Sequence, residues 1–130
     1  MSAVVERART LVGSSFRFQG RTAKSGLDCV GLAALVYRLP VHEVPVAYDW
    51  RGSTIEDVLG VARGRFRVIT NDRWMPGDLL VAHAGRGRLH LAVWTGAGII
   101  HADAARRSVC ERPGFPPMRV GLCLRPNQEF

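Results

Sequence analysis

The sequence predicts an α+β fold in which helices come first and an antiparallel sheet follows. Before about residue 63, apolar residues recur at helical spacing, whereas after Asn71 and Asp72 they alternate in short runs separated by Gly, Pro and Arg. Helices followed by a run of strands are typical of the α+β class. Because 130 residues is the length of one domain, we expect a single domain over 1–130.

The first predicted helix covers residues 3–12, where Val4 and Ala8 share an amphipathic face. Residues 16–27 are polar and punctuated by glycine, which predicts an irregular loop. A connector over 40–52 precedes another short helix at 54–63, capped by Ser53 or Thr54.

The second predicted helix, over 29–39, is apolar on nearly every side, so we expect it to be buried. Asp28 stands at its N-cap position, and Pro40 ends it. Cys29 shares a face with Leu32, Ala33 and Val36, and this places the thiol toward the protein body.

Five strands are predicted in the second half of the chain, and their apolar residues alternate with polar ones. They cover 78–82, 89–95, 99–103, 109–112 and 119–124.

The net charge is +7, and Lys24 is the only lysine among 18 basic residues. This excess implies an anionic partner or surface, either nucleic acid, a wall polymer or an acidic protein, although a GC-rich genome would also favour arginine. The sequence lacks an apolar run of the ~20 residues that cross a bilayer. It also lacks the start of a secretory signal, so we expect no membrane anchor and synthesis in the cytoplasm.

The three cysteines, Cys29, Cys110 and Cys123, form no C-x-x-C pair and are odd in number, which argues against a disulfide framework. A disulfide between Cys110 and Cys123 is possible but not implied, and both fall in predicted strands. Cys29 lies in the first turn of its helix, where free N–H groups and the helix dipole favour the thiolate. The alternative is an inert core cysteine, since free cysteine is among the most buried residue types.

Two histidines of neighbouring strands provide a possible base and its orienting partner. If 95–98 form the turn and Trp94 faces Ile99, His90 and His101 lie on the same face as diagonal neighbours ~7–8 Å apart. A shift of two residues places them directly opposite, and the shared face is unchanged. Either histidine could instead be an ordinary core or surface residue.

A cysteine nucleophile, an imidazole base and a third group that fixes the imidazole tautomer make up Cys–His catalysis. We assign Cys29 as the nucleophile, His90 as the general base and His101 as the orienting residue. Asp103 is the rival to His101, because one register places it across from His90. A zinc site made of His83, His90 and His101 is the alternative, but the spacing matches no known ligand motif, and no metal is expected.

Four segments, in order, resemble the motifs of NlpC-like cell-wall cysteine peptidases. They are Gly-Leu-Asp-Cys-Val-Gly-Leu at 26–32, Pro-Gly-Asp-Leu-Leu at 76–80, His-Leu-Ala-Val-Trp-Thr-Gly at 90–96 and Ile-Ile-His-Ala at 99–102. The resemblance implies a papain-like fold, with helices packed on a five- to six-stranded antiparallel sheet. It gives the same three catalytic roles to Cys29, His90 and His101. It also implies hydrolysis of the D-γ-glutamyl–diaminopimelate amide of peptidoglycan stem peptides without a cofactor.

The short chain, the absent signal and the Arg-Phe-Gln-Gly stretch at 17–20 are similar to the branch encoded with phage tails and gene transfer agents. The resemblance therefore implies a virion enzyme that is carried on a tail tip. Its partners would be tail hub, tail-fibre or baseplate proteins, and it would act in the periplasm of the target cell.

The sequence departs from the family pattern at Phe16, where many members have a tyrosine whose hydroxyl points at the site. Val30 replaces the usual serine after the cysteine, and the span from His90 to His101 is one residue shorter than in many members. A structural tail component that retains the fold but little activity is therefore the rival function. Related acyl-transfer or amidase chemistry is a third possibility.

Substrate contacts are expected from Asp28, Arg86, Arg88 and Trp94. The two arginines flank the approach to His90 and would attract carboxylates, unless they are only a basic turn. Trp94 is an even number of residues from His90, so both side chains are expected on the same face of their strand. Arg63, Arg65 and Arg67 precede the sheet and lack the stacking aromatics of a nucleic-acid site, so nucleic acid is an unlikely partner and a solvated face or a docking surface is expected.

Overall fold

The computed structural model describes residues 2–39, 55–85 and 88–128. Three helices and eight strands follow one another along these residues. They are α1 (Ala3–Thr10), β1 (Arg21–Thr22), β2 (Gly26–Leu27), α2 (Cys29–Val36), α3 (Ile55–Ala62), β3 (Phe66–Ile69), β4 (Leu79–His83), β5 (Leu89–Trp94), β6 (Gly98–Asp103), β7 (Ser108–Pro113) and β8 (Arg119–Pro126). The connector predicted over 40–52 and the cap predicted at Ser53 or Thr54 lie outside the described residues.

The three helices form where the sequence predicts them, although each is shorter. Asp28 caps α2, as predicted, because its side chain accepts a hydrogen bond from the Gly31 N–H. The helix ends at Val36, before the predicted stop at Pro40. Tyr37 is the C-cap residue and Arg38 adopts a left-handed backbone with φ 51°.

Six strands form one antiparallel sheet in the order β3-β8-β4-β5-β6-β7. The five predicted strands are present, and β3 is the addition. Arg65 and Arg67 are predicted to precede the sheet on a solvated face or a docking surface, but Phe66–Ile69 pairs with β8 and is part of the sheet. The Phe66 ring packs edge-on against Tyr37, with centroids 5.2 Å apart, and this contact anchors the extra strand.

The loop predicted over 16–27 contains a small hairpin, in which β1 and β2 pair antiparallel. It also approaches α2 closely. A Cβ at Gly20 would lie 2.1 Å from the Gly26 carbonyl oxygen, and a Cβ at Gly31 would lie 1.9 Å from the Gly20 carbonyl oxygen, so both positions need glycine. The contact between Gly20 and Gly31 fixes the chain that precedes the helix against its first turn.

The helices α1 and α2 cover one face of the sheet. The main core joins Leu32, Ala33 and Val36 of α2 to Val93 and Ile100 of the central strands. Alternation places Ala92, Trp94 and Ile99 in a second apolar cluster. Among the described residues, no helix has the length and apolar character needed to span a membrane.

Candidate active site

Cys29 is the first residue of α2 and is 9% exposed. Burial, with a contribution from the neighbouring Asp28 carboxylate, raises the pKa of its thiol to about 11. The backbone N–H groups of Leu91, Cys29 and Val30 lower this pKa but do not outweigh burial. Burial therefore opposes the helix start, which the sequence predicts to favour the thiolate, and the net effect is a raised pKa. Desolvation is larger than the effect of the helix terminus.

Asp28 is buried and holds the start of α2 in place. Its carboxylate accepts hydrogen bonds from the Gly31 N–H at 2.8 Å, the Gln19 N–H at 2.9 Å and the Arg21 guanidinium at 2.9 Å. The sequence analysis placed Asp28 among the substrate contacts. In the structure it borders the groove beside Cys29, and its oxygens bind the protein's own donors, so its observed contacts position the start of α2 and with it Cys29.

The His90 and His101 side chains touch. The distance from His90 Nε2 to His101 Nδ1 is 2.8 Å, and the two rings are nearly perpendicular. Trp94 pairs with Ile99, as in the first predicted register, so the shared sheet face is also as predicted. The paired residues of β5 and β6 are Val93–Ile100 and Trp94–Ile99, next to the turn. His90 and His101 lie farther from the turn along the same two strands.

Asp103 lies behind His101 rather than in its place. One carboxylate oxygen is 4.0 Å from His101 Nε2, and the other accepts the backbone N–H groups of Ala105 and Arg106. The two candidates for the third residue are therefore arranged in series. His101 contacts His90, and the Asp103 charge acts on His101 from the far side.

Both imidazoles favour the neutral form. Burial and the neighbouring His101 lower the pKa of His90 to about 4, and Asp103 opposes this shift. Burial also lowers the pKa of His101, with Arg112 and Arg106 adding to the decrease and Asp103 again opposing it. Near neutral pH the site therefore holds a neutral thiol and two neutral rings.

A groove of about 440 Å³ brings the three candidate catalytic side chains together. Cys29, His90 and His101 border it, and Phe16, Arg88 and Arg112 form part of its rim. The Phe16 ring thus lies at the groove without a hydroxyl group.

Of the other three predicted substrate contacts, the described residues place one at the groove. Arg88 borders the groove, and Arg86 lies outside the described residues. Trp94 has the predicted parity but does not border the groove. Its ring packs edge-on against Trp74 and stacks on Phe115, with centroids 5.3 and 6.0 Å away.

Of the remaining cysteines, Cys110 is half-buried on β7 and Cys123 is buried on β8. Both are free thiols, so the structure contains no disulfide between them. Within the described ranges, no group of three His, Cys, Asp or Glu side chains is placed to hold a metal ion.

Sequence reasoning missed two residues. Asp78, in the Pro-Gly-Asp segment, is buried and accepts two hydrogen bonds from Arg125, each of 2.9 Å. Arg112 faces the groove from β7, and this could have been found by applying the alternation used for the histidines to one more strand. Asp78 could have been found because it lies in the Pro-Gly-Asp-Leu-Leu motif, but its partner Arg125 is 47 residues away in the sequence.

These elements, their order and their sheet make up an α+β fold of the NlpC/p60 type found in peptidoglycan hydrolases. The structure is similar to the NlpC/p60 domain of the peptidoglycan hydrolase SagA, with a TM-score of 0.59 and 28% identity over 85% of this chain and 86% of that one.

It is also similar in fold to the peptidoglycan hydrolase RipB from Mycobacterium tuberculosis, with a TM-score of 0.61 and 17% identity. That match covers 95% of this chain and 62% of the RipB chain. No family model matches the sequence, and a search of curated proteins gives no match.

Proposed function

We propose that this protein is a cysteine endopeptidase that hydrolyses peptidoglycan stem peptides, as one catalytic domain over 1–130. The observation that carries the proposal is the groove that Cys29 borders together with the hydrogen-bonded His90–His101 pair. The likeness to two peptidoglycan hydrolases supports the substrate class. The D-γ-glutamyl–diaminopimelate amide is the proposed scissile bond, on the resemblance of the four sequence motifs.

In the proposed reaction His90 acts as a general base on a neutral thiol. His101 contacts Nε2 of His90, so Nδ1 of His90 is the nitrogen left to accept the thiol proton. Sulfur attacks the amide carbon, and the N–H of Cys29 at the helix start stabilises the oxyanion. His90 then gives the proton to the leaving amine, and a thioester remains on Cys29. Finally, His90 deprotonates a water molecule that attacks the thioester carbon, the C–S bond breaks to release the carboxyl product, and His90 returns the proton to the Cys29 sulfur.

The proposed setting is a phage-type tail tip, delivered to the periplasm of the target cell, with tail hub, tail-fibre or baseplate proteins as partners. This part of the proposal rests on the resemblance of residues 17–20. In the structure Gln19 of this segment donates its backbone N–H to Asp28, so the segment also positions the start of α2. Electron microscopy of particles labelled with an antibody against this chain tests the location. Labels along the head alone would contradict it.

Digestion of purified sacculi, followed by mass spectrometry of the released muropeptides, tests the activity. We expect new amino termini at diaminopimelate with the wild-type protein, none with Cys29→Ser, and unchanged products with Cys110→Ser as the matched loss of a thiol. Equal product from wild type and Cys29→Ser would refute the assignment.

The rival function is a tail component that keeps the fold with little activity. The absence of a hydroxyl at Phe16 favours it, and burial, which raises the pKa of the Cys29 thiol, is consistent with it. Particles that carry Cys29→Ser distinguish the two functions. A structural role predicts normal infectivity, and an enzymatic role predicts delayed entry through an intact wall.

A further inference from the structure

Arg112 adds a cation to the groove on the side of His101. It lies on β7, where it pairs with Ile99, while the next residue on the same face, Cys110, pairs with His101. Alternation therefore places Arg112 on the sheet face of the two histidines, and its side chain borders the same groove.

The Arg112 guanidinium is available to a ligand. The residue is exposed, and its charge reaches the site strongly enough to lower the pKa of His101. The two acidic side chains at the groove already have partners, because Asp28 binds Arg21 and Asp103 lies near Arg106. In the described part of the chain, no carboxylate pairs with Arg112.

The proposed substrate supplies a matching anion. Glutamate linked through its γ-carboxyl keeps its α-carboxylate free, and this group lies a few bonds from the scissile amide. A planar guanidinium binds a carboxylate with two parallel hydrogen bonds. Arg88 borders the groove on the side of His90 and adds to the positive potential.

We propose that Arg112 binds the free α-carboxylate of the γ-linked glutamate and that the groove thereby selects acidic stem peptides over amidated ones. This inference rests on the proposed function. It adds Arg112 as a specificity-determining residue, with Arg88 contributing to the attraction.

Calorimetric titration of the Cys29→Ala protein tests the inference, because this variant binds without turnover. The probes are γ-D-glutamyl-diaminopimelate and the same dipeptide with its α-carboxylate converted to a carboxamide. We expect the acidic peptide to bind roughly tenfold more tightly, and Arg112→Gln to reduce this preference to near one. Arg106→Gln is the matched control, since Arg106 also acts on His101 but does not border the groove, and the preference should persist.

Equal binding of the two peptides by the Cys29→Ala protein, or a preference that survives Arg112→Gln, would overturn the inference. Hydrolysis assays separate this outcome from failure of the proposed function. Cleavage of both peptides at equal rates leaves the peptidase intact and removes the role of Arg112. If the acidic peptide binds more tightly but the wild-type protein hydrolyses neither peptide, the role of Arg112 in binding stands and the proposed peptidase activity fails.

Discussion

The resting state of the Cys29–His90 pair is the property of this site that is most open to measurement. The pKa of the thiol is about 11 and that of the imidazole is about 4. Moving the proton from sulfur to imidazole across this difference costs about 10 kcal/mol. If the thiolate and the imidazolium were in contact at about 4 Å, at an effective dielectric constant of about 20, they would attract each other by about 4 kcal/mol. We therefore predict that the neutral pair is favoured by about 6 kcal/mol.

Alkylation by iodoacetamide as a function of pH measures this directly, since only the thiolate reacts. The measurement uses a Cys110→Ser variant, because Cys110 is half-buried and its thiol would also react with iodoacetamide. Cys123 can stay, since it is buried and its pKa is about 12. We expect the rate at Cys29, followed by peptide mass spectrometry, to fall about tenfold per pH unit below about pH 10. His90→Ala should leave this profile nearly unchanged.

A plateau of alkylation between about pH 5 and pH 8 that disappears in His90→Ala would refute the reasoning. That result would show a preformed thiolate–imidazolium pair. It would mean that attraction between the two groups exceeds the cost of burying them.

Three further predictions concern the surroundings of the site. Phe16→Tyr should increase kcat/KM on stem peptides roughly tenfold by adding a hydrogen-bond donor at the groove, and Phe115→Tyr, on the exposed aromatic cluster, should not. Asp103→Asn should move the acid limb of the kcat/KM–pH profile to lower pH, because the Asp103 charge raises the pKa of His90. An unchanged limb would show that the Asp103 charge does not act on His90. Asp78→Asn should lower the free energy of unfolding in urea by roughly 2–4 kcal/mol, because it uncouples the buried ion pair with Arg125; a loss below about 0.5 kcal/mol would contradict this.

Local patterns predicted most of the fold. Period-two alternation located five strands, and the Asp28–Cys29 step located the start of α2. The strand β3 was not found because the exposure of its residues Phe66–Ile69 does not alternate and they pair only with β8 at the edge of the sheet. Its contact with Tyr37 joins segments that the sequence pattern does not connect.

The sequence predicted which side chains of the site share a sheet face, but not how those side chains contact one another. A shared sheet face followed from counting residues between His90 and His101, but their contact and the position of Asp103 behind them depend on side-chain rotamers. The effect of the surroundings on the Cys29 thiol was predicted from the helix terminus alone. Burial of the thiol was also predicted, but its effect was not weighed against that of the helix terminus, and it raises the pKa.

The surroundings of Cys29 show why position and reactivity are opposed in this site. Asp28 fixes the start of α2 through Gly31, Gln19 and Arg21, and the same negative charge raises the pKa of the adjacent thiol. A carboxylate that aims the sulfur at the groove therefore also keeps it protonated. In the proposed reaction, proton transfer during attack resolves this conflict, because an imidazole that is neutral above its pKa of about 4 would accept the thiol proton as the bond to carbon forms. The contact of His101 with the far nitrogen of His90 orients the ring for that transfer.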